Sequence, residues 1–214
     1  MKQHVITISR EYGSGGRKIG IALAKRLGIP YYDKELLKMA SEQSGIGQTF
    51  FEKADEAPSN SFLYALSLGM GGGGIQNNVL SNDNLFQHQS NAIRKAAEQG
   101  SCVIVGRCAD YILRDFPGCI RLFIHASTEH RIERLMEYEG HTDRDKILDN
   151  MKKSDKRRIS YHNYYSDSDW GNVQNYDLAI STDHLEIEEA VDLICAYIKA
   201  VDDTEDEHAH ARKE

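Results

Sequence analysis

The chain has 214 residues, 40% of them hydrophobic and 28% charged, with three prolines and a formal net charge of -7. This ordinary globular usage excludes a disordered, collagenous or disulfide-knotted chain, and the length suits one large core, since single cores stop growing near about 250 residues. Residues 202–214 hold six acids against two bases and so carry -4 of the charge, which leaves a near-neutral body without the strongly basic face of a duplex-binding protein.

In chain order, residues 4–9 form a β-branched strand that stops at Gly13-Ser14-Gly15-Gly16. Ile19, Ala22, Leu23, Ala24 and Leu27 then recur at helical spacing until Gly28 and Pro30. Residues 30–33 read as a short strand ending in Asp33, followed by a helix over 34–44. The stretch 49–82 has a Gly-rich composition that favours mobility, and a helix is expected over 84–99. Its uncharged part, 57–82, is too rich in Ser, Gly and Asn to span a membrane. Residues 101–105 and 119–125 are near-continuously apolar, as buried parallel strands are. A polar, basic, tyrosine-rich segment at 140–170 precedes a last strand at 177–181 and a helix over 185–201, and the acidic tail 202–214 is expected to be disordered.

This order implies an α/β fold, a parallel sheet flanked by helices. One domain is expected over 1–201, with 49–99 as a helical insertion and 140–170 as a basic lid, both placed where α/β proteins insert substrate-binding subdomains and lids. Residues 1–8 enter a strand directly, without a leader's apolar run, so a cytoplasmic location is expected. Cys102, Cys108, Cys119 and Cys195 lack metal-ligand spacing and read as reduced, packed thiols. Nothing in the sequence excludes a homo-oligomer, and no internal repeat is visible.

A strand, glycine turn and helix gather backbone N–H groups and a positive helix terminus around one volume, which suits phosphate. Here Arg10, Arg17 and Lys18 surround Gly13, Ser14, Gly15 and Gly16, and charge-assisted contacts to phosphate would give these bases a role. The signature G-x-x-x-x-G-K-[ST] is not met: Glu11 replaces the first glycine, Arg17 the lysine and Lys18 the hydroxyl residue. Nor is the dinucleotide fingerprint complete, since Lys18 stands at its third glycine. A third reading leaves the glycines as a tight turn only.

The run I-T-I-S-R-E-Y-G-S-G-G-R-K-I-G with A-L-A-K-R-L-G-I-P-Y-Y-D-K-E-L, then V-I-V-G-R-C-A-D and L-F-I-H-A-S, resembles the cytidylate-kinase-like family of P-loop kinase relatives. The resemblance covers residues 5–200, most weakly over 42–99. It implies a P-loop kinase-like fold and ATP with Mg2+. It also implies transfer of the γ-phosphoryl group to a nucleoside monophosphate such as CMP. Gly13 to Gly16 with Arg10 and Lys18 would bind phosphate, and Asp33, Arg107 and Asp110 would place the acceptor. Arg17 would stand in for the missing lysine, and magnesium would fall to Ser14, Asp33 or water. Asp155, Arg157 and Arg158 match the family's lid stretch and would close over the reacting phosphates.

From the residues themselves, Arg107 ends a strand where α/β proteins bind ligands, with a structural ion pair as the alternative. Asp110 suits a helix start equally well, and Asp33 an N-cap. Lys152, Lys153, Lys156, Arg157 and Arg158 also read as a solvated face or a small nucleic-acid patch, although one patch on an acidic chain argues against nucleic acid. Lys153, Arg157 and Tyr161 are expected on one helix face, and Asp155 with Arg158 as an ion pair. His125 and His130 lack ligand spacing, and Trp170 reads as packing at the base of the lid. The rival functions are a non-catalytic nucleotide-binding or sensor protein and a kinase of another small metabolite.

Overall fold

The structure, a computed structural model, describes residues 2–54, 82–139 and 143–211. The glycine run 69–74 and most of the expected insertion lie outside the described residues, as do residues 140–142 and 212–214.

The elements are β1 (Val5–Arg10), α1 (Gly16–Leu27), β2 (Tyr31–Tyr32), α2 (Glu35–Ser44), α3 (Gln48–Ala54), α4 (Asn82–Glu98), β3 (Cys102–Val105), α5 (Ala109–Ile112), β4 (Cys119–His125), α6 (Thr128–Glu139), α7 (Arg144–Tyr165), β5 (Leu178–Ser181) and α8 (Ile187–Ala211). The strands form one sheet in the order β2-β3-β1-β4-β5, and each adjacent pair is parallel. The parallel sheet with flanking helices is thus as the sequence implies.

Alternation along the strands explains the layers, because successive side chains point to opposite faces. Ile6, Ile8, Val103, Val105, Leu122 and Ile124 pack with Ile19 and Leu23 of α1 and Val191 and Ile194 of α8. Val5, Cys102 and Ile104 turn the other way, onto Ile93 of α4, Ile112 of α5 and Tyr161 of α7. Each fully buried aliphatic side chain contributes about 1.5–3 kcal/mol, so the two faces together fix the central strands and the loops that leave their carboxyl ends. A smaller cluster of Leu37, Phe51 and Leu85 joins α2, α3 and α4, and Ile132, Leu135, Ile147 and Met151 join α6 to α7.

One expectation is corrected. The tail does not begin at 202: α8 continues to Ala211 through a stretch in which Glu205, Glu207, Ala209 and Ala211 favour helix among weaker formers. Asp202 is also tied to the sheet, 3.0 Å from His4 Nε2, and its carbonyl accepts from Lys2 Nζ. Among the described residues no helix is long and apolar enough to cross a membrane.

Candidate functional site

The central strand β1 feeds the sheet on one side through α1 and β2, while β4 feeds the other side toward β5. The loop between Arg10 and Gly16 therefore leaves the sheet where the strand connections diverge, the position at which open α/β sheets bind ligands. Gly15 caps α1 with φ +84°, a conformation in which a side chain is strained. Gly16 is needed for a different reason: a Cβ there would lie 2.6 Å from Arg10 Cβ. The first turn of α1 carries no acid but holds Arg17 and Lys18, the wrong sign for a positive helix terminus unless an anion is brought to it.

The loop's environment is built by α6 and α7. Arg131 reaches back to Tyr12 O at 3.2 Å and to Asp155 Oδ2 at 2.6 Å. Arg134 donates to Gly13 O and to Thr182 Oγ1 and O. Ser14 is fully buried: its hydroxyl donates to Glu11 O at 2.9 Å, and its carbonyl accepts from Thr182 Oγ1 at 2.8 Å. Ser14 thus shapes the loop. Lys18 lies 2.9 Å from the centroid of the Tyr138 ring. Around the loop is a cleft of about 190 Å³ lined by Arg10, Arg17, Lys18, Arg134 and Arg158, with Glu11 as its acid.

From α7, the residues at i, i+3 and i+7 share a face, and on that face Asp155, Arg158 and His162 meet three different parts of the sheet's carboxyl edge. Asp155 Oδ1 accepts from Tyr12 N at 2.7 Å, so the expected catalytic Asp155 holds the loop. Its pairing with Arg158 is present at 3.7 Å. Arg158 Nη1 donates to Arg10 O at 3.0 Å. Arg157 points elsewhere, because consecutive helical residues are about 100° apart. It is exposed, and it lines a separate cleft with Lys153 and Lys156. Lys153 and Arg157 stay exposed while Tyr161 is buried, so the three do not share a surface as the spacing suggests.

Beyond β3 the chain makes a left-handed turn, with Gly106 at φ 78°, Arg107 at 58° and Cys108 at 55°. Non-glycine residues there cost about 1–2 kcal/mol each, and buried contacts hold them in place. Arg107 Nη1 donates to Asp33 Oδ1 at 2.8 Å, and both side chains are almost wholly buried. Arg17 Nε meets the other oxygen of Asp33 at 2.9 Å. The Tyr31 hydroxyl and the Asp33 carboxylate raise the Arg17 pKa. Burial pushes the Asp33 carboxyl up, but the Arg107 hydrogen bond and the charges of Arg107, Arg10 and Arg17 outweigh it and hold it below the usual value. Asp33 is therefore a clasp between two arginines. Lys34, not Asp33, occupies the N-cap of α2. Asp110 does not cap α5, whose N-cap is Cys108; it is buried against His162 Nε2 at 3.0 Å.

Arg10, Arg107, Cys108, Arg158, Tyr161, His162 and Trp170 close around a second, nearly filled cleft of about 10 Å³ on the β3 side. Arg10 and Arg158 line both clefts, and so stand between them. Trp170 packs edge-on against Phe123, 5.1 Å between centroids, at the base of this wall.

These groups do not fit a magnesium ion held by the protein. The Ser14 hydroxyl is buried and donated, and Asp33 is shared by two guanidinium groups. Glu11 accepts from Ala126 N and faces Arg131, and Asp155 is taken by Tyr12 N and Arg131. Among the described residues no three His, Cys, Asp or Glu side chains gather.

Four participants were missed by sequence reasoning: Tyr12, Arg131, Arg134 and His162. Arg131 and Arg134 are three apart on the helix after a strand, a spacing that places both on one face, and His162 continues the face of Asp155 and Arg158.

Residues 5–184 match the model of the cytidylate kinase-like family. Over 195 residues the chain is 26% identical to a cytidylate kinase of Pyrobaculum aerophilum, covering 90% of this chain and 91% of that one. An uncharacterized protein from Eubacterium ventriosum has a crystal structure that matches with 35% identity and a TM-score of 0.68, over 92% of this chain and 99% of that one. A shikimate kinase from Bacteroides thetaiotaomicron, 15% identical with a TM-score of 0.55, covers 92% of this chain and 99% of its own, a likeness of fold.

Proposed function

Because the chain belongs to the cytidylate kinase-like family, we propose that it is a phosphotransferase moving the γ-phosphoryl group of ATP to a small acceptor, a nucleoside monophosphate such as CMP. The observation that carries this reading is the basic cleft at the glycine loop, bordered by Arg10, Lys18, Arg134 and Arg158. A phosphoryl group in transit spreads its charge over its equatorial oxygens, and cations placed around such a cleft offset that charge.

In this reading the amides of the glycine loop and the start of α1 receive the donor phosphates, and Lys18, Arg134 and Arg17 offset their charge. A phosphate oxygen of the acceptor attacks the γ-phosphorus while the bond from that phosphorus to its bridging oxygen breaks, and the electron pair leaves with ADP. An ionised phosphate acceptor has no proton to surrender, so no general base is required. Arg10 and Arg158 stabilise the transferring group, and the walls of Tyr161 and Trp170 exclude water. Magnesium belongs in this account to the nucleotide substrate, not to the protein. An ATP-dependent enzyme of this kind would act in the cytoplasm.

Arg158→Ala is expected to lower turnover about 100-fold, by loss of a transition-state charge contact, with ATP affinity little changed. Arg157→Ala, which faces away, serves as the control. Equal turnover of Arg158→Ala and wild type would remove the assignment. The replacement of the phosphate-binding lysine by Arg17 favours the second reading of a nucleotide-binding sensor. ATP binding without ADP release in the presence of any nucleoside monophosphate would decide for it.

A further inference from the structure

We propose that His162 is a positioning residue, which bonds the lid helix α7 to the buried turn after β3 and thereby sets where Arg158 stands between the two clefts. The inference rests on the phosphotransferase reading above for its catalytic consequence, but its structural content is independent of it.

The imidazole is 97% buried and has a partner on each nitrogen. Nε2 is 3.0 Å from Asp110 Oδ2, on α5, and Nδ1 is 3.0 Å from Ser166 Oγ, just past the end of α7. Ser166 also donates to Ser168 O at 2.9 Å, so the bonded chain runs from the turn after β3, through the helix, into the segment that leads to Trp170. A buried carboxylate left without its partner costs several kcal/mol, so Asp110 holds the ring firmly. Two residues before Asp110 the backbone is still in the left-handed turn that carries Arg107.

Arg158 lies one turn before His162 on the same face of α7. Its Nη1 meets both Arg10 O at 3.0 Å and Asp155 Oδ1 at 3.7 Å, and no other residue of α7 lines both clefts. With Asp155 bonded to the glycine loop and His162 to the β3 turn, the helix is fixed at both ends of the segment that bears Arg158. Loss of Asp155 removes the polar tie on the glycine-loop side, and loss of His162 removes the one on the β3 side. Apolar packing of Ile147, Met151 and Tyr161 keeps the helix docked, so the expected change is a small shift, and a displacement of about 1 Å suffices to lower a rate by about 100-fold.

The test is a double-mutant cycle with hydrogen exchange beside it. His162→Leu keeps bulk and removes both bonds, and His162→Gln retains a donor and an acceptor. Turnover of ATP with CMP is expected to fall about 10-fold in His162→Leu, with the KM for ATP unchanged, and to recover at least half-way in His162→Gln. In the Arg158→Ala background the same His162→Leu change is expected to cost less than about 2-fold, since residues acting through one another are not additive. Full additivity would overturn the proposal. If the wild type does not turn over CMP, the functional reading fails by itself and amide exchange decides. Faster exchange in His162→Leu both at residues 106–112 and at residues 10–12 supports the coupling. Faster exchange confined to residues 160–170 overturns it, and His162→Gln shows whether any change is only loss of folding.

Discussion

The loop after β1 and the turn after β3 leave neighbouring parallel strands at the same edge of the sheet, yet they are made of opposite materials. The loop takes its positive φ angles at Gly13 and Gly15, where they cost little, and so brings backbone close to whatever lies in the cleft. The turn places Arg107 and Cys108 at positive φ, where side chains are strained, and buries the guanidinium against Asp33. Where a site needs only amides, glycine suffices. Where it needs a fixed cation, the chain accepts local strain and holds it with a buried ion pair, as strained residues at functional sites require.

The comparison can be broken most severely at the turn. Arg107→Met leaves the buried Asp33 without its buried hydrogen-bonded partner, and a loss of about 3–5 kcal/mol of folding stability is expected in urea denaturation. A loss below about 1 kcal/mol would mean that the pair does not hold the turn. Gly16→Ala acts on the loop instead. Its Cβ meets Arg10 Cβ, and overpacking of about 1–3 kcal/mol should weaken ATP binding by roughly 5- to 150-fold in a titration. Binding unchanged in that variant would show that the loop can shift without consequence.

Acid sharpens the contrast further. Asp33 is held below the usual carboxylate value, so its contribution is present above about pH 4 and is lost as pH falls through its lower folded value. Wild-type stability should therefore drop more steeply than that of Arg107→Met below about pH 4, and parallel curves would contradict the clasp. The smallest effect concerns magnesium. With no side chain among the described residues suited to hold it, chelation should change the ATP dissociation constant by less than about 3-fold, and a larger change would point to a protein ligand.

Much of the fold was legible in the chain because its signals are local. The β-branched run before Gly13 and the apolar runs at 101–105 and 119–125 could only be strands. The spacing of Ile19, Leu23 and Leu27 could only be a helix. The extent of α8 was not legible because the charge of the tail suggests disorder, while the ties of Asp202 to His4 and Lys2 lie about 200 residues away along the chain. At the site, residue types were legible and their directions were not. Arg157 and Arg158 looked equivalent, but one helical step separates the cation that borders the glycine-loop cleft from an exposed one on a different cleft. Asp33 and Asp110 looked like acceptor contacts or caps because their partners, Arg107 and His162, stand 74 and 52 residues away along the chain. Such pairings have no local periodicity.

The most direct test of the central claim is ADP release by the purified protein with ATP and magnesium, measured before and after CMP is added, with ATP binding followed by calorimetry in the same preparation. The account predicts that ATP binds alone and that ADP appears at an appreciable rate only once CMP is present. ATP binding with no release on addition of CMP or any other nucleoside monophosphate would contradict the proposed transfer, and absence of ATP binding would contradict the role given to the glycine loop.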